Sequence, residues 1–319
     1  VKKYKLIALI GLFLALIGCE NKTGSDPGKF QVVSTVGMIA DLAEVIGGDH
    51  IEVNTIIGAG ADPHVYKHTA ADMKSVGAAD LVFYNGYHLE GKFGTVLEKL
   101  SSKGDPVHAV AEAVVKKESL LMDEEGAEDP HLWMDVSQWR KVAKYIQETL
   151  TKELPDHSSD FETNFNDLDS KLETLDAYAK EKLATIPENQ RHLITAHDAF
   201  GYMESAYGLK VRGIQGISTE SKAGLKDLEN LITFLVENKI PAVFTESSVN
   251  DKGIRALIEG AAAKGLTVAK GGELHSDAMG TAGTYEGTYL GMIDHNITTI
   301  TNALGGSAPA GGCFGKLSK

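Results

Sequence analysis

The stretch from Ser158 to Pro187 constrains this chain more than any other. Phe161, Phe165, Leu168, Leu172, Leu175, Ala179, Leu183 and Ile186 recur in steps of four and three, the spacing that lines side chains along one face of an α-helix. A helix from Phe161 to Ile186 would span roughly 40 Å, about the height of a small domain. Ser159 with Glu162 three residues on predicts a capping box, and Pro187 predicts the stop, because proline has no amide hydrogen to continue the ladder. On both sides of this rod, short β-like runs alternate with amphipathic helices. The expected fold is α/β: an N-terminal lobe over residues 30–155, a linking helix over 156–187 and a C-terminal lobe over 188–304. Each lobe is expected to hold a four-stranded, mainly parallel sheet with flanking helices.

Residues 1–18 read as a signal peptide. Lys2, Lys3 and Lys5 precede an apolar run from Leu6 to Gly18, too short to span a bilayer comfortably but right for a secretory signal. The run ends Leu16-Ile17-Gly18-Cys19, which resembles a bacterial lipobox and makes Cys19 the expected lipidation site. Residues 19–29 are polar, as a flexible tether would be. The expected location is therefore the outer face of the cytoplasmic membrane, with a lipid as the anchor. Only two cysteines are present, Cys19 and Cys313, so no disulfide framework is expected. Residues 305–319 are rich in Gly, Ala, Ser and Pro and predict a flexible tail. The formal charge of −13 argues against nucleic acid as a partner.

In the N-terminal half, strands are expected at Phe30–Thr35, Ile51–Ile57, Leu81–Tyr84 and Val107–Val110. In the C-terminal half they are expected at His192–Thr195, Lys210–Ile214, Ala242–Phe244 and Leu266–Ala269. Parallel sheets of this kind bind ligands beyond the carboxyl ends of their strands. Histidines stand at such places. Asp62-Pro63-His64 follows the second strand, and Asp129-Pro130-His131 precedes the helix expected over Val136–Leu150. Proline stiffens the backbone beside each imidazole, which lowers the entropy lost on fixing the ring; a capping Asp followed by a surface His is the alternative. His197 lies where the fifth strand ends, and Asp277 is the best-placed carboxylate after the last strand.

Taken in order, the His64 loop, the second Asp-Pro-His, Thr-Ala-His-Asp-Ala-Phe-Gly-Tyr at 195–202 and Ser-Asp-Ala-Met-Gly at 276–280 resemble the metal-binding lipoproteins of zinc/manganese ABC importers. The TroA-type members are the nearest. The resemblance runs from about Phe30 to Leu304. It implies two lobes on one rigid helix and a metal held in the cleft by His64, His131, His197 and Asp277. It also implies delivery of that metal to an ABC permease, with no catalysis, by a protein expected to be a monomer. Two departures bear on the metal. Zinc-specific members often carry a His-rich acidic loop in the first lobe, whereas Lys116–Glu128 has no histidine. Manganese-selective relatives commonly have Glu as the third ligand, where this chain has His197.

Three imidazoles and a carboxylate suit four-coordinate zinc, while manganese prefers more oxygen. Zinc or manganese is the expected cargo. His50, His88, His108 and His157 read as solvated surface groups. His68 and His275 are candidate outer or access ligands. Glu246 reads first as a helix-capping acid and second as a group that orients a ligand. Two rival functions are a zinc-dependent hydrolase, with Asp198 or Glu246 as base, and a surface adhesin whose metal is structural. Because one helix joins the lobes, a small tilt on binding is expected in place of a wide hinge closure.

Overall fold

The computed structural model describes residues 28–123, 126–221 and 224–318. Cys19, the signal segment 1–18 and most of the tether lie outside the described residues. In chain order the first half holds β1 (Phe30–Val36), α1 (Gly37–Gly47), β2 (Ile51–Ile57), α2 (Ala70–Ala78), β3 (Leu81–Tyr84), α3 (Gly91–Ser102), β4 (Val107–Ala109), α4 (Val110–Val114) and α5 (Val136–Glu153). Next comes α6 (Ser158–Leu183). The second half holds β5 (His192–His197), α7 (Gly201–Tyr207), β6 (Lys210–Gln215), α8 (Leu225–Asn238), β7 (Ala242–Glu246), α9 (Lys252–Ala263), β8 (Ala269–Leu274) and α10 (Tyr289–Ala303).

The linking helix forms where its periodicity demands. α6 is 26 residues long and buries Phe161, Leu168, Leu172, Leu175, Ala179 and Leu183, so it extends about 39 Å. Its start differs from the expectation. The chain enters through a 3₁₀ turn, Pro155–His157, and the residue before the helix is His157, with no side-chain cap. Ser159 is therefore already inside the first turn, where it cannot act as a cap, and no capping box forms. The other end is closed by Arg191, whose guanidinium donates to the carbonyls of Ala184 (2.7 Å) and Ile186 (2.9 Å). Those carbonyls would otherwise lack partners.

The first lobe is a parallel sheet in the order β2-β1-β3-β4. In the second lobe all four strands are present and their pairings are parallel, but the ladders close as two pairs, β5-β6 and β7-β8. β5 and β7 lie side by side. At their ends the amide of His197 is given to the Glu246 side chain. β8 also sits later than expected, because Gly271 and Gly272 read as loop residues. A Cβ on Gly271 would come within 2.6 Å of the Phe244 ring, so glycine here allows two strands to approach closely.

The two lobes share apolar packing. α6 lies against α1, α5 and α10, and one buried cluster runs from Val32 and Trp139 through Leu172 to Phe244 and Ile297. Opening a wide hinge would expose this surface to water, which is unfavourable in proportion to its area.

The tail departs from its composition. Ser307 N donates to Thr185 Oγ1 (2.9 Å), and the amides of Cys313 (2.7 Å) and Phe314 (3.4 Å) donate to the buried Asp294 carboxylate. The expectation of a flexible tail is corrected for residues 305–318. Gly312 makes the packing possible: its φ is +74°, and a Cβ there would lie 2.4 Å from Asp294 Oδ1. Small residues that predict disorder here let the chain lie flat on a carboxylate. No helix among the described residues is long and apolar enough to cross a membrane.

Candidate metal centre

Three loops and the end of one strand bring four side chains to one point between the lobes. His64 stands after β2, in a turn where Asp62 Oδ1 accepts its backbone N–H at 2.9 Å. His131 stands in the same kind of turn, with Asp129 Oδ1 accepting both its backbone N–H (2.9 Å) and its Nδ1 (2.8 Å). Asn85 anchors that loop by donating to the Pro130 carbonyl at 3.0 Å. His197 ends β5, and Asp277 follows β8. The side chain of Asn296 holds the Asp277 loop by bonding both the N–H (2.9 Å) and the carbonyl (2.7 Å) of His275.

All four side chains are buried. One ligand atom from each lies within 4.8 Å of the others. His64 Nε2 and His131 Nε2 are 3.3 Å apart. Asp277 Oδ1 lies 3.4 Å from His131 Nε2, and Asp277 Oδ2 lies 3.1 Å from His197 Nε2 and 3.8 Å from His64 Nε2. Ligands about 2.0–2.1 Å from a tetrahedral zinc ion would be about 3.3 Å from one another. Among the described residues, neither Asp277 oxygen nor His197 Nε2 has a hydrogen-bond partner. Buried polar atoms rarely stay so, and a cation would satisfy all three.

Two carboxylates orient the rings. His197 donates its backbone N–H to Glu246 Oε1 (2.9 Å), and its Nδ1 meets Glu246 Oε2 at 2.5 Å. A carboxylate accepts, so when the ring is neutral Nδ1 keeps the hydrogen and Nε2 presents its lone pair to the centre; Asp129 does the same for His131. The helix-capping reading of Glu246 is corrected here, since both its oxygens serve His197. The sequence signal for Asp129 was present in the i to i+2 spacing of Asp-Pro-His, which suits an Asp accepting the amide two residues on. Nothing local could have paired Glu246 with His197.

Electrostatics follow from burial and pairing. Burial opposes charge on His131, but Asp129 and Asp277 outweigh it and push its pKa up to about 9. Burial likewise opposes charge on His197, while Asp277 and Glu246 raise its pKa well above the ordinary value. Asp277 is held well below the usual carboxylate range: burial works against this, and the two imidazoles prevail. Among the described residues, none places a carboxylate on Nδ1 of His64. Burial lowers its pKa to about 3, with Asp277 opposing and the other imidazoles adding to the effect.

The other candidates fall elsewhere. His68 stacks on Phe93 at 5.0 Å and lines a cavity of about 630 Å³ next to His64, without reaching the four-residue cluster. His275 faces Ser247 Oγ (3.3 Å) and the His295 ring (4.9 Å). His88 is exposed, 3.8 Å from Glu128. His108 is half-buried and bonded to Tyr145 Oη at 2.8 Å, which corrects its reading as a solvated group. His50 and His157 stack on each other at 3.8 Å. Asp198 is half-buried, and its partial desolvation raises its pKa to about 6; it is not among the converging side chains.

Residues 32–303 match the family described as "ZnuA: Zinc-uptake complex component A periplasmic". The chain belongs to the ZnuA family. Among its relatives, the manganese-binding lipoprotein MntA of Bacillus subtilis is 44% identical over 301 residues, covering 94% of this chain and 98% of MntA. The zinc-binding protein TroA of Treponema pallidum is also 44% identical, over 284 residues, covering 89% of this chain and 92% of TroA. The solved structure of the periplasmic zinc-binding TroA superposes with a TM-score of 0.84 at 45% identity, covering 87% of this chain and 99% of that one. The two-lobe α/β fold of this ZnuA-family chain is thus shared with TroA.

Proposed function

We propose that this protein captures a divalent transition metal, zinc or manganese, outside the cytoplasmic membrane and delivers it to an ABC permease. His64, His131 and His197 bind through Nε2 and Asp277 through its carboxylate. The observation that carries the reading is the convergence of three imidazoles on a fully buried carboxylate whose two oxygens have no hydrogen-bond partner among the described residues. Family membership and the relatives MntA and TroA, named for manganese and zinc binding, support it.

The ligand set suits zinc, and the 3.1–3.4 Å spacings around Asp277 and His131 are near those of a tetrahedral site. Both Asp277 oxygens face imidazoles, so a bidentate carboxylate would admit the higher coordination of manganese. Two ligands come from each lobe, and ion binding thereby couples the lobes. Because the lobes share a core, closure is a small tilt, and handover requires the permease to draw the ligands apart or protons to displace the ion.

A lipid on Cys19 would hold a monomer at the outer face of the membrane, with residues 19–29 as tether; the lipoprotein character of MntA supports this. Binding without catalysis is favoured because Glu246, a possible base, has both oxygens engaged by His197. Chelator-stripped protein should gain thermal stability with stoichiometric zinc or manganese. Unchanged melting with both metals would reject the proposal. Competition between the two metals would rank them.

A further inference from the structure

We propose that His50, His157 and Asp160 form a second metal site, a surface site for zinc at the start of the linking helix. His50 ends the short helical turn before β2, His157 closes the turn that Pro155 opens, and Asp160 stands in the first turn of α6. One ligand atom from each lies within 4.8 Å of the others. His50 Nε2 is 2.8 Å from Asp160 Oδ2. The imidazoles of His50 and His157 stack at 3.8 Å with planes 18° apart, and both rings rest edge-on against Phe161.

Two imidazole nitrogens on one tetrahedral zinc are about 3.3 Å apart, inside the 4.8 Å that already separates the ligand atoms of these three residues at most. Near-parallel planes do not yet aim both lone pairs at one point. An ion would open the stack, which half-exposed side chains on short turns allow. Two imidazoles and one carboxylate are donors for zinc, and manganese, which stands below zinc in the affinity order of divalent metals, would be held more weakly by the same set. Three protein ligands leave coordination for water, so the site would exchange its ion readily and bind more weakly than a buried four-ligand cage. A zinc ion there would join the first lobe to the base of α6, beside the bond from Asn164 Nδ2 to the Ile46 carbonyl (3.0 Å).

The test is calorimetric titration of zinc into the chelator-stripped full chain and into a His50→Asn/His157→Gln double variant, with melting curves to confirm that both fold. The expected result is one more zinc equivalent in the native chain than in the double variant. Asp160→Asn should weaken that equivalent about tenfold or more, and manganese should not produce it. Equal zinc stoichiometry in the native and double-variant proteins would overturn the proposal, whatever happens at the central site. An extra equivalent unaffected by Asp160→Asn and filled equally by manganese would also overturn it.

Discussion

Trp133 Nε1 donates to the carbonyl oxygen of Ser276 at 2.8 Å, tying the residue two positions after His131 to the residue one position before Asp277 across the lobe interface. Trp133 also packs edge-on against the His131 ring (5.3 Å), and its own carbonyl accepts from Tyr289 Oη at 2.7 Å. One buried indole thus links the loop of His131 to the loop of Asp277, the proposed first-lobe and second-lobe ligands.

Trp133→Phe should keep most of the apolar volume while leaving the Ser276 carbonyl without its donor. Losing a buried hydrogen bond costs about 1–3 kcal/mol. We expect a lower melting temperature and metal dissociation faster by about tenfold or more, read by transfer of the ion to a chromogenic chelator.

Glu246→Gln leaves the volume of the side chain but removes the charge that holds the His197 tautomer. Loss of such an outer partner typically lowers metal affinity by about 10–100-fold. His197→Ala should cost more, because a proposed ligand goes with it. Competition against a chelator of known affinity checks both. Equal affinity for E246Q and the native chain would show that Glu246 serves folding alone.

Metal binding should release protons. In the metal-free protein the His131 pKa of about 9 and the raised pKa of His197 leave both rings charged at pH 7, and a metal takes only the neutral ring. Affinity should therefore fall as pH drops below about 9, by about tenfold per pH unit for each proton displaced. His64, held at about 3, is already neutral and adds no proton near pH 7. Calorimetry in buffers of different ionisation enthalpy should count more than one proton released at pH 7; a count of zero refutes the charge state.

Gly312→Ala places a methyl where Asp294 Oδ1 would be 2.4 Å away and imposes a φ of +74° on an L-residue. A loss of about 1–3 kcal/mol is expected, seen as a lower melting temperature with metal stoichiometry unchanged. No change in melting would mean that the tail contributes nothing to stability.

The sequence by itself determined the linking helix, because its apolar spacing is a local property of consecutive residues, and the burial of Leu168, Leu172, Leu175 and Leu183 follows that spacing. It also located His64, His131, His197 and Asp277, because each stands in a short motif at the end of a strand or the start of a helix. The convergence of these four residues, the service of Glu246 to a ring 49 positions earlier, the two-pair ladder of the second lobe and the docking of the tail on Asp294 were decided only by the tertiary structure. Partners that far apart in the chain leave no periodicity to read. The contacts form only once the shared core has set the lobes against α6, because burial then forces each polar group to find a partner wherever the fold supplies one.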